Sequence, residues 1–267
     1  MTGMRALTPH ADVAAFHDRL ERARERVLML DYDGTLAPFR VRPEQAVPYP
    51  GVTEILAALT RQADTRVVVV SGRRAAEVAA LLKLARPPEI WGSHGWERIS
   101  PDGEARTERP DDRVSDALSR AEASVAEYRR EGARFERKPA SIALHWRGLP
   151  ALTAARLRER VSAAWSPYAE AGVLEPLPFD GGIELRAPGA TKRRAVETVL
   201  AETAPDAPVA YLGDDITDED AFRTVKPRGL AVLVRAELRD TAADLWIRPP
   251  YELLEFLGRW RREAKIR

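Results

Sequence analysis

One pattern limits what this chain can fold into. A short, unbroken apolar run stops at a turn, a helical pattern follows, and the unit repeats. Val27-Leu28-Met29-Leu30 stops at Asp31-Tyr32-Asp33-Gly34. Arg66 to Val70 stops at Ser71-Gly72-Arg73, and a run over 208–212 stops at Gly213-Asp214-Asp215. Apolar runs without polar alternation fit strands buried on both faces. Helical patterns separate them: 52–62, with Val52, Ile55, Leu56 and Leu59 on one face; the stretch ending at Leu82; and 191–203. Ile90-Trp91 begins a further strand, and Ala231 to Val234 is another. An amphipathic helix over 11–26 opens the set. A last helix after Pro249-Pro250, with Leu253, Leu254, Leu257 and Trp260 on its apolar face, closes it. This order predicts an α/β fold with a parallel sheet and crossover helices.

The middle of the chain reads differently. A helix over 113–130 is capped by Asp111 and Asp112 and repeats Val114, Leu118, Val125 and Tyr128. Strands are expected at Phe135 to Lys138, Ser141 to Trp146, 173–177 and 183–187, with a helix over 151–165. Closely spaced strands suit an antiparallel sheet. The expected organisation is a split core of residues 1–105 and 187–267, with 106–186 inserted as a smaller module.

Composition removes several function classes. The 267 residues contain no cysteine, which excludes disulfides, thiolate metal sites and a cysteine nucleophile, and fits a reducing compartment. Lys plus Arg total 42 against 41 Asp plus Glu, a net charge of +1. Such a balance gives no reason to expect a nucleic-acid or anionic-membrane partner. No apolar run approaches the ~20 residues of a membrane span, and the start of the chain lacks the apolar stretch of a secretory signal. The expectation is a cytoplasmic monomer.

Four groups of residues carry chemistry, each at the end of an expected strand or at a helix start. In Asp31-Tyr32-Asp33-Gly34-Thr35, residues two apart on an extended segment point the same way, so both carboxylates can face one site. One can attack phosphorus and the other can move a proton. Gly34 lets the chain turn, and Thr35 offers a hydroxyl to a phosphate oxygen. Ser71-Gly72-Arg73 can cup phosphate oxygens, although Ser-Gly is also an ordinary turn. Lys192 would offset negative charge there; taken alone, it reads as a solvated helix start. Gly213-Asp214-Asp215-Ile216-Thr217-Asp218-Glu219-Asp220 concentrates acid where only a cation or the start of a helix relieves the repulsion. With no Cys and few His, that cation is hard, Mg²⁺ above all. The spacing is not that of an EF-hand loop.

Together the four groups resemble the haloacid dehalogenase superfamily of Mg²⁺-dependent phosphohydrolases. The resemblance implies a Rossmannoid core plus an inserted α/β cap of the larger, C2 type. It implies Asp31 as nucleophile, Asp33 as general acid/base, and Ser71 and Lys192 as the other catalytic groups. It implies Mg²⁺ on the carboxylates of Asp31 and Asp214 and the backbone carbonyl of Asp33. Asp215 and Asp218 would be nearby ligands or their supports. Thr35, Gly72 and Arg73 would bind substrate.

The chain is also similar to the trehalose-6-phosphate phosphatase family. The likeness lies in Asp31 to Pro38 followed by Pro43 and Ala46, and in Gly92-Ser93-His94-Gly95-Trp96-Glu97. It continues in Glu136-x-Lys138 leading to Ser141 and His145-Trp146-Arg147, in Glu184-x-Arg186, and in Gly213 to Phe222. It implies that His94, Glu97, Glu136, Lys138 and Glu184 border the sugar and that the partner is a small sugar phosphate. Arg193 follows Lys192 where that family usually has Gly, and Gly181-Gly182 stands where a Gly-Lys type turn is common. A phosphatase for sucrose phosphate or a glycosyl-phosphoglycerate, a phosphosugar mutase, and a non-catalytic sensor remain as alternatives. The presence of both Asp31 and Asp33 argues against the sensor.

Overall fold

The computed structural model describes residues 3–8, 12–40, 42–179 and 181–262. It divides into two compact units, Met1–Arg106 with Thr191–Arg267, and Thr107–Ala190.

In chain order, the first unit supplies β1 (Arg5–Ala6), α1 (Val13–Arg22), β2 (Arg26–Leu30), α2 (Val52–Leu59), β3 (Thr65–Val70), α3 (Ala75–Leu82), β4 (Glu89–Gly92) and β5 (Glu97–Ile99). Strand β6 (Ala105–Thr107) leads into the second unit, which holds α4 (Asp112–Val125), β7 (Arg134–Lys138), β8 (Ser141–His145), α5 (Ala151–Glu170), β9 (Glu175–Phe179) and β10 (Gly182–Arg186). The chain returns with α6 (Lys192–Ala201), β11 (Val209–Gly213), α7 (Glu219–Val225), β12 (Leu230–Val234), β13 (Leu245–Ile247) and α8 (Tyr251–Gly258).

The nine-stranded sheet runs β1-β13-β12-β11-β2-β3-β4-β5-β6. From β13 to β4 every neighbouring pair is parallel, and antiparallel β1 and β5 flank that block. The unbroken apolar runs have the expected cause. Leu28 and Leu30 point to the face covered by α1, α2, α3 and α8, while Val27 and Met29 point to the face covered by α6 and α7. With a two-residue period and helices on both sides, successive positions from Val27 to Leu30 are all buried and all apolar. The run can end only where the strand leaves the helices, at Asp31, Ser71 and Asp214.

In the second unit β7-β8-β10-β9 form an all-antiparallel sheet. Ile142, Leu144, Ile183 and Leu185 face α4 and α5 and pack with Leu118, Val125, Leu157, Val161 and Trp165. The opposite face is polar. Glu136, Ala143 and Glu184 lie in one row, and Lys138, Ser141 and Arg186 in the next.

Several boundaries differ from expectation. The opening helix is ten residues, Val13–Arg22; Ala23 turns to extended backbone, and residue 11 lies outside the described residues. The helix expected over 113–130 closes at Val125, and a 3₁₀ stretch follows to Glu131. The helix expected to stop at 165 runs to Glu170 with Pro167 inside it. The strand expected at 173–177 is β9, displaced to Glu175–Phe179 and carrying Pro176 and Pro178. Strands β1, β5, β6 and β13 are too short to leave an apolar run of their own.

Candidate active site

The tips of β11, β2 and β3 lie side by side on one edge of the first unit's sheet, where open α/β folds bind ligands. Leu30 pairs with Leu212 on one side and with Val69 on the other. Asp31 follows Leu30 and donates its backbone N–H to Leu212 O at 2.8 Å. Asp214 follows β11, and Ser71 follows β3 with its N–H on Trp91 O at 2.8 Å. Three of the four motifs thus meet because three neighbouring strands end together.

The fourth arrives from across the sheet. Lys192 opens α6, and Arg193 and Arg194 follow it in a first turn that has no acidic residue. Cations at a helix N-terminus oppose the dipole by about 0.3–1 kcal/mol each, so helix preference does not explain this Lys. Its partners do. Lys192 Nζ is buried, 2.5 Å from Asp31 Oδ1 and 2.7 Å from Asp218 Oδ1.

Asp31, Asp214 and Asp218 bring one carboxylate oxygen each within 4.8 Å of one another, and all three residues are buried. Burial first, then the neighbouring Asp218 and Asp33 charges, push the Asp31 carboxyl up to about 7 despite the pull of Lys192. Burial and the charges of Asp31 and Asp218 push Asp214 up to about 10. One ammonium against three carboxylates leaves excess negative charge on hard oxygen donors. Such a set fits Mg²⁺. Gly34 is what lets Asp214 come so close. It has φ +83°, and a β-carbon there would overlap the Asp214 carboxylate.

Asp218 is the organiser of this cluster. Its Oδ1 accepts from Lys192 and from Tyr211 Oη at 2.7 Å, and its Oδ2 accepts from the backbone N–H groups of Asp214 and Asp215 at 3.2 and 3.1 Å. Asp215 is exposed and caps the following 3₁₀ turn, outside the carboxylate group. Thr35 Oγ1 donates to Asp31 Oδ2 at 3.1 Å, so its hydroxyl steadies that carboxylate. Ser71 Oγ accepts the Arg73 N–H at 3.1 Å. Arg73 itself reaches Asp33, with Nε to Oδ2 at 2.6 Å and Nη2 to Oδ1 at 2.7 Å.

His94 and Glu97 lie beside the Ser71–Arg73 turn. A β-carbon on Gly72 would sit 2.7 Å from the His94 ring. His94 donates its N–H to Ser71 O at 3.0 Å, and Ser93 donates to Arg73 O at 2.6 Å. Buried Glu97 accepts the Ala75 N–H at 2.8 Å and Arg74 Nε at 3.3 Å, closing the start of α3.

On the polar face of the second unit, Lys138 Nζ donates to Glu184 Oε1 at 3.2 Å and lies 3.5 Å from Glu136. Ser141 Oγ donates to the same Glu184 oxygen at 2.5 Å, and His145 Nε2 lies 3.2 Å from Glu136 Oε2. Burial disfavours the Lys138 ammonium, but Glu184 and Glu136 outweigh it and raise the group above its usual range. Burial likewise works against ionised Glu136, and the His145 and Lys138 contacts reverse that and hold it low.

Residues 29–244 match the profile of the trehalose-phosphatase family. The chain belongs to that family. It is 35% identical to the trehalose-phosphate phosphatase of Mycobacterium tuberculosis over 268 residues, 92% of this chain and 64% of that protein. It is 32% identical to an uncharacterized glycosyl hydrolase of the same organism, covering 96% of this chain and 20% of that one. The chain thus spans less than two thirds of the length of these relatives. Among solved structures, the C-terminal domain of Candida albicans trehalose-6-phosphate phosphatase superposes with a TM-score of 0.79, at 20% identity over 96% of this chain and 99% of that one. A haloacid dehalogenase-like hydrolase from Bacillus subtilis superposes with a TM-score of 0.61, at 16% identity over 88% and 99%. These two likenesses are of fold alone, a parallel-rich core sheet with a second α/β unit.

Other side chains around this family member's site left little trace in the sequence. Tyr211 sits inside an apolar strand, and nothing in Val209-Ala210-Tyr211-Leu212 tells that its hydroxyl reaches Asp218. Arg235 Nη1 and Arg239 Nε donate to the Asp214 carbonyl at 3.3 and 3.4 Å from the segment after β12. Glu219 holds Arg239 in place, accepting from its Nη1 at 2.5 Å. Among the described residues, no helix is long and apolar enough to cross a membrane.

Proposed function

We propose that the chain is an Mg²⁺-dependent phosphohydrolase that removes phosphate from trehalose 6-phosphate to give trehalose. The observation that carries the reading is the buried meeting of Asp31 and Asp214 with Lys192 between Asp31 and Asp218. The match to the trehalose-phosphatase family supports the substrate class.

In this reading an Asp31 oxygen forms a bond to phosphorus as the bond from phosphorus to the sugar oxygen breaks. That oxygen takes the proton of Asp33 and leaves as a hydroxyl. Water then gives a proton to Asp33 and attacks the aspartyl-phosphate. The bond from phosphorus to Asp31 breaks, inorganic phosphate departs, and both carboxyls return to their starting state. Lys192 and Ser71 balance charge on the phosphoryl oxygens. Asp31 and Asp214, with the Asp33 carbonyl, would hold Mg²⁺, which when bound neutralises the carboxylates and the phosphate. Asp215 serves as a nearby support.

Phosphate chemistry is assigned to the first unit, with Thr35 after β2 and Gly72 after β3 beside the phosphate and Arg73 next to them on Asp33. Sugar recognition is assigned to the polar face carrying Glu136, Lys138 and Glu184, with His94 and Glu97 beside the Ser71 turn. The reading carries with it a cytoplasmic monomer whose partner is the sugar phosphate.

The deciding experiment measures phosphate release from a panel of sugar phosphates, with and without chelator, for the wild type and Asp31→Asn. The expected result is chelator-sensitive release, strongest with trehalose 6-phosphate and lost in the variant. Release that survives Asp31→Asn overturns the mechanism. Equal release across the panel overturns the substrate.

A further inference from the structure

Arg73 lies 40 residues after Asp33, yet its guanidinium takes both oxygens of that carboxylate. A planar fork on two oxygens fixes a carboxylate's direction as no single donor can. The fork is itself fixed. The Arg73 N–H is on Ser71 Oγ, its carbonyl receives the Ser93 N–H, and its guanidinium carbon lies 5.7 Å from the centre of the Tyr32 ring. Ser93, His94 and Gly95 hold φ values of +50°, +57° and +94°, three consecutive left-handed residues of which two carry side chains. Strain of this kind persists only where the surroundings impose it, and it gathers at functional sites. Here it aims the Ser93 and His94 N–H groups at the carbonyls of Arg73 and Ser71.

We infer that Arg73 is a positioning residue for Asp33, setting the direction in which that carboxyl gives and takes its proton. The inference rests on the phosphohydrolase reading above, in which Asp33 is the acid and base. An ionised carboxylate has about four lone-pair sites. The fork occupies one on each oxygen and leaves one on each for the proton in transit. Breaking the bond from phosphorus to a sugar oxygen requires that proton, because a sugar alkoxide is a poor leaving group. The aryl oxygen of p-nitrophenyl phosphate leaves as a stable anion and needs it far less. Loss of Arg73 therefore harms the sugar ester selectively.

The test compares kcat and KM, in saturating Mg²⁺, for the sugar phosphate turned over fastest in the panel and for p-nitrophenyl phosphate. The variants are Arg73→Gln, Arg73→Lys, Asp33→Asn and Arg73→Gln with Asp33→Asn. General acid–base catalysis is worth about 10²–10⁴-fold. Arg73→Gln is expected to lower kcat for the sugar ester by about 10²-fold and for the aryl ester by under about 10-fold, with both KM values little changed. The double variant is expected to match Asp33→Asn, since the two residues act as one unit. Arg73→Lys keeps the charge without the fork and shows the same selectivity should the Gln variant not fold. A rise in KM for both esters with kcat retained overturns the inference and makes Arg73 a phosphate ligand. Equal kcat losses on both esters, or additive losses in the double variant, overturn it as well. Failure of the underlying reading is seen separately: Asp33→Asn would then show no selectivity between the esters, and the inference falls with it.

Discussion

Lys192 Nζ and Asp31 Oδ1 lie 2.5 Å apart, from positions 161 residues distant in the chain, with each side chain only 4% exposed. The contact joins the start of α6 to the tip of β2, so it both closes the first unit and sets the charge at its edge. Asp214 lies outside that contact, and burial with the like charges of Asp31 and Asp218 pushes its carboxyl up against the weaker pull of Lys192.

Lys192→Met removes one partner of this buried pair and leaves Asp31 and Asp218 facing each other. Breaking such a pair from one side costs about 3–5 kcal/mol. Urea unfolding is expected to show a loss of that size, and phosphate release to fall by at least about 10²–10³-fold, the typical worth of one charge-stabilising donor. A variant as stable as the wild type would mean the pair contributes nothing to folding.

The raised carboxyls fix the sign of a pH effect. In the unfolded chain Asp31 and Asp214 release their protons near the ordinary Asp value of about 4. In the folded chain they hold them up to about 7 and about 10. Between those limits the folded state binds more protons, so stability falls as pH rises through the window and returns as pH falls. With chelator present, the melting temperature of the wild type should therefore drop between about pH 5 and about pH 9 more steeply than that of Asp214→Asn. Mg²⁺ competes with those protons, so the rise in melting temperature that it gives should be larger at the alkaline end. Parallel slopes for the two proteins would contradict the assignment.

How much of this could be read from the residues depends on whether a contact is periodic. Val27 to Leu30 declares a doubly covered strand because every position is apolar, and the Asp that ends it is conspicuous for that reason. The polar face of the second unit is legible as Glu136-x-Lys138 and Glu184-x-Arg186, since a two-residue step returns to the same side. Contacts set by the tertiary fold alone leave no local signal. Neither the reach of Arg73 to Asp33 nor that of Tyr211 to Asp218 has a spacing that would reveal it. Lys192 is the intermediate case: its basic neighbours fit a solvated helix start, and only its burial distinguishes it from Arg193.

Gly34 and Gly103 separate the cost of a backbone shape from the cost of a blocked site. Both are left-handed, at φ +83° and +89°, but a β-carbon at 103 meets nothing within 4 Å while one at 34 overlaps the Asp214 carboxylate. Gly103→Ala is expected to cost only the left-handed penalty of about 1–2 kcal/mol and to keep its activity. Gly34→Ala pays that penalty and displaces Asp214 as well. Its melting temperature should no longer rise with Mg²⁺, and its phosphate release should fall by at least about 10²-fold. Equal behaviour of the two variants would remove Asp214 from the metal site.

Glu184 is the best single probe of the second unit. It is buried, and one of its oxygens accepts from both Lys138 and Ser141. Glu184→Gln removes the charge while keeping the shape, so the sheet survives and Lys138 retains Glu136 at 3.5 Å. A hydrogen bond to a charged group is worth about 1.5–3 kcal/mol, which converts to about 10–150-fold in binding. If this face recognises the sugar, KM for the sugar phosphate should rise within that range while kcat and KM for p-nitrophenyl phosphate, which has no sugar, stay as they were. A matching loss on both esters would show instead that Glu184 acts on the phosphate chemistry or on folding. An unchanged KM for the sugar ester would leave the Lys138–Glu184 pair with a purely structural role.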